Sequence, residues 1–526
     1  MKVTLELRLR LALVNFHSNY FMQDDYRNKG RSRRKDAPGR SRKKHQSSAA
    51  RKLFLGLTAA FVFCALIFAA LRYYGGADAF RRLAGGDMTL KEFLAEAGIL
   101  DGSGTEGSEA SSVNESEASP EPGRSDGSSV TETTSPTEPE TTTLGAEELQ
   151  RLREEEESRL AEEERLRKEA ELNALLEQGY HLVSQADPDR ITLRFAGDIL
   201  FDPSYAIMAS LLQRSGGFPD ISRGFDEGMM SCMRGADIFM INNEFPYSSR
   251  GTPLPGKQFT FRAKPEYASL MKDIGADLVG LANNHVNDYG PDSMQDTFST
   301  LEGIGLPFCG AGRNIDDASR PVLFTNGEVK IAILAATQIE RMGNPDTVGA
   351  TDSSAGVFRC LYDMDRLTAR IRECKKMGCF TIVFIHWGTE GTEHIDDWQL
   401  KQGKQIAQAG ADAIVGAHPH ILQRLDWLDG IRIHSDGSES AAKVPVIYSL
   451  GNYLFNSKTL DTGLYELVLN AHDGSVEQIR FIPAIQSGCR TRYADPSEAE
   501  GRRILQHMRE MSPNVSILED GRVELK

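Results

Sequence analysis

The sequence predicts a membrane-anchored α/β protein, in which one transmembrane helix, a disordered linker and a charged helical stalk precede an α/β domain at residues 190–490. Two observations predict the domain. Short apolar runs alternate with amphipathic segments, which is the pattern of an α/β fold. Most of these runs are followed by polar residues of the kinds that bind metals. A 19-residue apolar stretch at 53–71 predicts the membrane span.

Composition limits the classes of function. The chain has 526 residues, with 60 Lys and Arg against 75 Asp and Glu, and a net charge of −15. Because single hydrophobic cores stop growing at about 250–300 residues, this length allows more than one domain. The acidic balance argues against a general nucleic-acid-binding protein. The seven cysteines include no Cys-x-x-Cys pair, which argues against a disulfide framework and a cysteine zinc site.

The first 100 residues predict a single-pass anchor in the cell membrane. Residues 1–52 form a basic tail of net charge +11, and residues 53–71 carry no charge. A helix of that length spans about 28 Å, close to the hydrocarbon thickness of a bilayer. A cleaved signal peptide has a shorter apolar core and does not normally follow so long a basic segment. The positive-inside rule then places the N-terminus in the cytoplasm, and the juxtamembrane segment 72–100 and the main domain outside the cell.

The start of the chain is itself a hypothesis. Residues 1–21 differ in character from the basic tail, and Met22 opens the part that is typical of a cytoplasmic tail. We expect translation to start at Met22, and a native protein that begins at Met1 in N-terminal sequencing would contradict this.

Composition next predicts a linker and a stalk. Residues 101–145 contain 28 Ser, Thr, Gly or Pro and no aromatic residue, so this linker is expected to be disordered. Residues 146–178 are rich in Glu, Arg and Leu, with Glu and Arg four apart at 147/151, 155/159 and 163/167, as in a solvated helix. The leucines keep no strict heptad, so a coiled-coil dimer is an alternative to a single charged stalk.

The α/β domain is predicted from seven apolar runs and the helix-like segments between them. We interpret the runs as strands at 191–196, 238–241, 278–282, 331–335, 381–385, 413–415 and 444–448. The amphipathic segments, interpreted as helices, occupy 265–275, 291–304, 363–378 and 397–410. Residues 491–526 form a C-terminal extension.

Polar residues at the ends of six runs predict the functional site. They are, in chain order, Asp198, Asn242 with Glu244, Asn283 with Asn284 and His285, His386, His418 with His420, and Asn452. Because the carboxyl ends of neighbouring parallel strands meet at one edge of a sheet, these side chains are expected to converge. Each alone has a structural explanation, such as a helix cap or a turn. Together they supply the oxygen and imidazole ligands of manganese, zinc or iron.

These motifs resemble the CapA, or PgsA-type, family of capsule and poly-γ-glutamate synthesis proteins, which is similar to the calcineurin-like metallophosphoesterases. The resemblance covers about residues 190–490. It rests on Gly197-Asp198, Asn242-x-Glu244, Ala282-Asn283-Asn284-His285, His386-Trp387-Gly388-x-Glu390, Gly416-x-His418-Pro419-His420 and Ser449-Leu450-Gly451-Asn452-x-x-Phe455.

The resemblance implies a four-layer α/β/β/α sandwich with one or two divalent metal ions between its two sheets. The implied metal ligands are Asp198, Glu244, Asn284, His386, His418 and His420. His285 is the implied catalytic residue, which contacts the substrate or donates a proton. The phosphoesterases carry a His two residues after the first Asp, and this chain has Leu200 there, so one metal position lacks a ligand. Glu390 and His394 are candidates to replace it.

Five residues near these ligands are candidates for substrate binding. They are Asn242, Asn283, Trp387, Glu390 and Asn452. Trp387 is a candidate wall of the site, although a Trp after a buried strand also fits a core position. Residues 449–452 form a tight turn, which either lines the mouth of the site or only ends a strand.

Three functions remain open at this point. The favoured one is a metal-dependent hydrolase or transferase, outside the membrane, that serves synthesis or export of a capsular polymer such as poly-γ-glutamate. The alternatives are a non-catalytic polymer-binding or scaffold subunit and a general extracellular phosphoesterase. No Gly-x-x-x-x-Gly-Lys-Ser/Thr loop is present, so the expected partners include a separate ATP-dependent ligase. Residues after 177 sum to −11, so an anionic polymer needs a local basic track or the metal to attract it.

Overall fold

The computed structural model describes residues 145–339, 347–361 and 364–526. The predicted basic tail, membrane span and juxtamembrane segment, and all but the last residue of the predicted linker, lie outside the described residues. Among the residues that are described, no helix is both long enough and apolar enough to cross a membrane.

The described chain alternates helices and strands, as the sequence predicts for an α/β domain. The helices are α1 (Ala146–Glu177), α2 (Ala206–Ser215), α3 (Glu227–Arg234), α4 (Ser269–Asp273), α5 (Pro291–Gly303), α6 (Ile315–Ala318), α7 (Met364–Lys376), α8 (Asp397–Gln408) and α9 (Ala499–Met511), with short 3-10 helices at Ile221–Gly224 and Pro265–Ala268. The strands of the first half are β1 (His181–Leu182), β2 (Arg190–Ile199), β3 (Ile238–Asn243), β4 (Leu278–Gly280), β5 (Phe308–Cys309), β6 (Ala311–Gly312), β7 (Val322–Thr325), β8 (Lys330–Thr337) and β9 (Gly356–Val357). Those of the second half are β10 (Phe380–His386), β11 (Ala413–Ala417), β12 (Leu422–Ile433), β13 (Glu439–Leu450), β14 (Asn452–Leu454), β15 (Leu460–Asn470), β16 (Val476–Ser487), β17 (Arg490–Tyr493), β18 (Val515–Ile517) and β19 (Val523–Leu525).

Helix α1 is held along its length by exposed ion pairs one turn apart. Arg159 Nη1 lies 2.7 Å from Glu163 Oε1, and Arg165 Nη2 lies 2.8 Å from Glu162 Oε1. In the ion pairs that join residues four apart, Arg precedes Glu in the chain. The sequence pattern predicts the opposite order, with Glu before Arg. Fully exposed pairs of this kind contribute little to stability, because water and salt screen them. The C-terminal end of α1 contacts the domain through the buried Leu175.

Two mixed sheets form the centre of the domain. In the first, the order is β17-β16-β15-β2-β3-β4-β5, with β14 paired to the end of β2. Strands β2 to β5 are parallel, and β15 to β17 are antiparallel to their neighbours. In the second, the order is β1-β7-β8-β10-β11-β13-β12, with β8, β10, β11 and β13 parallel. The seven apolar runs and β5 supply the parallel strands at the centre of the two sheets. In addition, β1 pairs in parallel with β7 and β14 with β2.

Three apolar cores separate four layers. The two sheets pack face to face through a core that includes Leu193, Met240, Ile333 and Phe384. A second core lies between the first sheet and helices α2 to α5, and a third between the second sheet and helices α7 and α8. The chain after residue 490 folds onto the same unit, since Ile504 of α9 is buried in the central core. The parallel strands of both sheets therefore bring their carboxyl ends together beside that core.

Candidate metal centre

The strand ends of both sheets supply the polar side chains of one buried cluster. Asp198 lies near the end of β2, Glu244 directly follows β3, and Asn284 lies four residues after β4. His386 ends β10 of the second sheet, and His418 directly follows β11. All five side chains are buried. Because the two sheets face each other, residues that are far apart in sequence meet at the edge of the central core.

Four of these side chains form a group around one imidazole nitrogen. His386 Nε2 lies 2.9 Å from Asn284 Oδ1, 3.0 Å from His418 Nδ1 and 3.4 Å from Glu244 Oε1. We call Glu244, Asn284, His386 and His418 the four-donor group. Two imidazoles, one amide oxygen and one carboxylate are a complete tetrahedral ligand set by type for a divalent transition metal.

A second group adjoins the first through Glu244. His420 Nδ1 lies 3.0 Å from Asp198 Oδ2 and 2.9 Å from Asn452 Oδ1. We call Asp198, His420 and Asn452 the Asp198 group. Ligand atoms of Glu244, His418 and His420 all lie within 4.8 Å of one another, so a metal in either group would share neighbours with the other.

Backbone geometry fixes the second group. A side chain on Gly197 would collide with the carbonyl oxygen of Gly451, and this close approach lets the Asp198 N–H donate to that oxygen at 3.0 Å. Strand β14 then begins with Asn452 directly beside Asp198 in the parallel register. His418 and His420 adopt positive φ angles of 99° and 60°, a strained conformation that concentrates at functional sites. The Gly451-Asn452 turn is therefore part of the site rather than only the end of a strand.

The Glu244 carboxylate gives the sharpest indication that the cluster fits a cation. Both oxygens are fully buried, and neither has a hydrogen-bond partner in the described part of the chain. Burial, together with the charge of nearby Asp198, raises the pKa of Glu244 well above its usual value. A buried carboxylate without partners costs several kcal/mol unless a cation or proton compensates it. The donors that surround Glu244 are the kinds that a divalent ion requires.

The protonation of the histidines agrees with a cation in this place. Burial lowers the pKa of His386 to about 3, which keeps its imidazole in the neutral form that binds metals. Burial also opposes charge on His420, but the charges of Glu244 and Asp198 prevail and raise its pKa to about 10. Without a metal, the protonated His420 therefore compensates the Asp198 carboxylate, while burial favours the neutral acid on Glu244. A divalent ion would take over that role and release the proton.

His285 lies at the edge of the cluster with one nitrogen fixed by a carboxylate. Its Nδ1 lies 2.7 Å from Asp288 Oδ2, and its Nε2 lies 4.0 Å from Glu244 Oε1. Asp288 also accepts a hydrogen bond from Lys257 Nζ at 2.6 Å and from the Phe261 backbone N–H at 2.7 Å. The His285 ring packs on Phe261, with 4.2 Å between centroids. With Nδ1 donating to Asp288, Nε2 is directed at the site.

Asp288 and Lys257 were not predicted from the sequence. Asp288 is completely buried and follows His285 by three residues, a spacing that could have identified it as the partner of the imidazole. Lys257 lies in a loop before β4, and no local pattern connects it to the site. Its ammonium group bonds Asp288 and the Asn284 carbonyl, so it braces both the imidazole partner and a ligand.

Three of the predicted substrate-binding residues lie elsewhere than expected. Asn242 donates to Asp198 Oδ1 at 2.7 Å and accepts from Asn283 at 3.1 Å, and Asn283 Oδ1 accepts from the His285 N–H at 3.0 Å. The side-chain amides of Asn242 and Asn283 hold the Asp198 carboxylate and the His285 backbone in place. Their nitrogen and oxygen atoms are used in these bonds and are not available to a substrate. Trp387 is completely buried in the core beneath α8, where its Nε1 donates to the Tyr448 carbonyl. Neighbouring residues of a strand face opposite sides, so Trp387 must point away from the side that His386 faces.

The remaining candidates divide between the centre and its mouth. Glu390 is exposed but close enough for its charge to act on Glu244 and His420. Asn452 lies inside the Asp198 group. Leu200 packs in the apolar core of the first sheet, so the ligand absent from the sequence is also absent from this position in space. His394 is exposed, and its described hydrogen bonds are made by its backbone, whose N–H donates to Thr392 and whose carbonyl accepts from Gln423. Of the two proposed replacements, Glu390 and His394, only the charge of Glu390 is seen to act on Glu244 and His420. The side chain that contacts the Asp198 group directly is that of a third residue, Asn452.

The fold and this cluster define a mixed α/β protein with a buried candidate metal centre. Residues 192–457 match the family model described as bacterial capsule synthesis protein PGA_cap. The chain belongs to this family.

Curated relatives agree with the family match. The chain is 30% identical over 239 residues to "PGA biosynthesis protein CapA" of Bacillus subtilis (strain 168), over 44% of this chain and 58% of that protein. It is 31% identical over 240 residues to "Capsule biosynthesis protein CapA" of Bacillus anthracis, over 44% of this chain and 53% of that one. The match thus spans little more than half the length of these relatives.

Among solved structures, one match is a novel phosphatase of Mycoplasma pneumoniae. It is 13% identical, covers 57% of this chain and 95% of the phosphatase, and has a TM-score of 0.33. A score this low supports no conclusion about the function of the chain.

Proposed function

We propose that this protein is a divalent-metal-dependent hydrolase or transferase that acts in the synthesis or export of a poly-γ-glutamate-type capsular polymer. The observation that carries the proposal is Glu244, whose two buried oxygens lack partners while imidazole and amide donors surround them. The family match and the names of the two Bacillus relatives support the choice of pathway.

Six residues would hold one or two ions of manganese, zinc or iron. The four-donor group accounts for Glu244, Asn284, His386 and His418, and the Asp198 group adds Asp198 and His420. Asn452 Oδ1 lies 2.9 Å from His420 Nδ1 and would supply a ligand in place of the histidine that Leu200 replaces. A bound divalent ion would act as a Lewis acid and lower the pKa of a bound water.

The residues around the ions would orient and protonate the substrate. In its doubly protonated form, His285 would donate the Nε2 proton to the leaving group while Asp288 accepts from Nδ1. Burial lowers the pKa of His285, and the Asp288 carboxylate opposes that effect by favouring the charged ring. Lys257 holds Asp288 in turn. Phe261 and Phe455 cover the His285 and His420 rings, with 4.2 Å and 4.8 Å between centroids, and keep water from that side.

The location and partners of the protein are further parts of the proposal. The apolar segment at 53–71 and the basic tail before it support a single-pass protein of the cell membrane with a cytoplasmic N-terminus and an extracellular main domain. The substrate would be an anionic polymer or its ester precursor. Polymer ligation would depend on a separate ATP-dependent enzyme among the other synthesis subunits.

One observation favours a second candidate, a non-catalytic polymer-binding or scaffold subunit. Leu200 stands where the phosphoesterases carry a histidine ligand, and it is fixed in an apolar core. If the Asp198 group holds no ion, the centre would contain a single metal with a structural role.

The experiment measures metal content and turnover together. The purified full-length chain would be analysed for bound Mn, Zn and Fe, and assayed with a model phosphodiester and with poly-γ-glutamate. We expect His418→Ala to lose metal and turnover, and His285→Ala to lose turnover alone. His434→Ala is the matched control, because His434 is exposed and contacts Ser440 instead of the centre. Metal without turnover on either substrate would favour the scaffold function, and a wild-type protein that binds no metal would refute the proposal.

A further inference from the structure

A cleft of about 720 Å³ lies apart from the metal centre, on the antiparallel side of the first sheet. Its walls come from β16, β17, α9 and the turns at 495–497 and 519–520, and Arg194 of β2 also lines it. It shares no residue with the four-donor group or the Asp198 group. Most of its lining residues follow residue 457, where the family match ends. The volume is in the range of a small-molecule site.

A row of charged residues crosses three neighbouring strands beside this cleft. Arg194 of β2 pairs in register with Glu466 of β15, and Glu466 pairs in register with Arg480 of β16. The single carboxylate between the two arginines is already used. Arg194 lies 2.6 Å from Glu466 Oε2, and Gln478 donates to the other oxygen at 3.3 Å. Glu466, the residue opposite Arg480 on the neighbouring strand, therefore forms its ion pair with Arg194 instead.

The Arg480 side chain is incompletely satisfied. Its Nε is buried and has no hydrogen-bond acceptor among the described residues. The carboxylate of Asp520 lies 3.9 Å from its terminal nitrogen, but the same Asp520 oxygen accepts from Arg522 Nε at 2.7 Å. A buried donor without an acceptor costs about 1–3 kcal/mol. The side chain as a whole is 35% exposed and lines the cleft, so its terminal nitrogens can donate to an oxygen from outside the chain.

Helix α9 adds two further guanidinium groups. Arg509 donates to the carbonyls of Ile517 and Leu518, and Arg502 donates to the carbonyl of Ser497. These carbonyls orient the two groups and carry no net charge to neutralise them. The cleft also contains the acidic residues Asp495, Glu519 and Asp520. Asp495 is occupied by the Ser497 hydroxyl and N–H, both at 2.7 Å.

We propose that this arginine cleft binds the carboxylate groups of an anionic chain, at a site separate from the metal centre. Guanidinium groups bind carboxylates through two parallel hydrogen bonds, which a partly unpaired Arg480 can provide. Pro483, Tyr493 and Leu505 lie between the arginines and supply apolar contacts for the methylene groups of a glutamyl unit. The choice of a glutamate polymer rests on the proposed function. The cleft would provide the local basic track that a domain of net negative charge needs in order to hold an anionic polymer.

The test measures binding of a fluorescent γ-linked glutamate oligomer to the full-length chain by anisotropy. We expect the double variant Arg480→Gln, Arg502→Gln to bind about tenfold or more weakly, which corresponds to about 1.4 kcal/mol. Arg480→Lys keeps the charge but loses the paired geometry, and should show a smaller loss. The control is Arg492→Gln, which removes one positive charge from β17 outside the cleft lining. Thermal unfolding of each variant shows that it is folded.

Three outcomes would overturn the proposal. The first is binding by the double variant as tight as that of the wild type, and the second is no binding by the wild type. The third is competition by inorganic phosphate as strong, per anionic group, as that of the oligomer, because the cleft would then recognise phosphate. His418→Ala separates this inference from the proposed function. If that variant loses metal and still binds the oligomer, the cleft binds independently of the metal centre. A wild-type protein that contains no metal but binds the oligomer would refute only the catalytic proposal.

Discussion

The two halves of the metal centre differ in how their ligands are supplied. The four-donor group draws on both sheets and has every ligand that a tetrahedral ion requires. The Asp198 group has one carboxylate and one imidazole besides the amide of Asn452. Two residues after Asp198, Leu200 packs in an apolar core and supplies no ligand. Asn452 reaches this group only because Gly197 and Gly451 let two backbones approach closely. The four-donor group therefore depends on the ends of the strands, while the Asp198 group depends on the turn at Gly451.

Glu244→Gln should have the largest effect, because Glu244 adjoins both halves. The amide keeps the volume of the side chain but removes the negative charge that both ions would share. We expect metal affinity to fall by about 100-fold or more at both positions. The metal-free variant should unfold at a higher temperature than the metal-free wild type, since an unpaired buried carboxylate has been removed.

Titration with the metal alone and thermal unfolding would measure both effects. Glu439→Gln is the control, because Glu439 is exposed and pairs only with Arg372 at 3.1 Å. If Glu244→Gln binds metal as the wild type does, the two halves are not a metal centre.

His386→Ala tests the complete half alone. Its Nε2 is the atom around which Asn284, His418 and Glu244 gather, so its loss should remove the ion of the four-donor group. We expect the metal content to fall by about one ion per chain and turnover to fall by at least about 100-fold. Metal analysis after gel filtration measures the first, and His434→Ala serves again as the control. An unchanged metal content would place the ion entirely in the Asp198 group.

Asp288→Asn should leave both halves loaded but slow the reaction. The amide cannot accept the Nδ1 proton of His285 in the same way as the carboxylate, so the imidazole loses the orientation that directs Nε2 at the site. Partners of this kind are worth about 10–100-fold in activity. We expect kcat to fall by that factor with KM and metal content nearly constant. Asp292→Asn, in the exposed first turn of α5, is the matched control. A parallel loss of metal would show that Asp288 has only a structural role.

The features of the fold that the sequence predicts are those that depend on residues close together in the chain. Apolar runs and the polar residues that end them are local patterns. Six of the seven predicted runs lie wholly in a strand of one of the two sheets, and the run at 278–282 extends two residues beyond β4. The antiparallel strands β15 to β17 were not predicted, because their pairing depends on contacts between distant segments. The packing of α9 on the central core was missed for the same reason.

Within the site, residue type was easier to predict than side-chain direction. Asn242 and Glu244 share one motif, yet Asn242 bonds the Asp198 carboxylate while Glu244 faces the donors. Trp387 follows His386 directly, and the alternation of a strand alone places it on the other face. Lys257 lies 31 residues before Asp288 in the chain, so only the fold brings the two together.

Asn452 gives the smallest expected effect and the finest test of the comparison. If its Oδ1 completes the Asp198 group, Asn452→Ala should weaken one metal position by about tenfold and leave the four-donor group unchanged. Asn452→Asp keeps an oxygen in the same place and should bind at least as tightly as the wild type. Titration calorimetry with the metal would resolve the two positions. Asn456→Ala is the control, because Asn456 is only partly buried and bonds Gln486 and Lys458 outside the centre. If the Ala and Asp variants bind alike, the turn does not supply a ligand, and the Asp198 group is a support for a centre that holds a single ion.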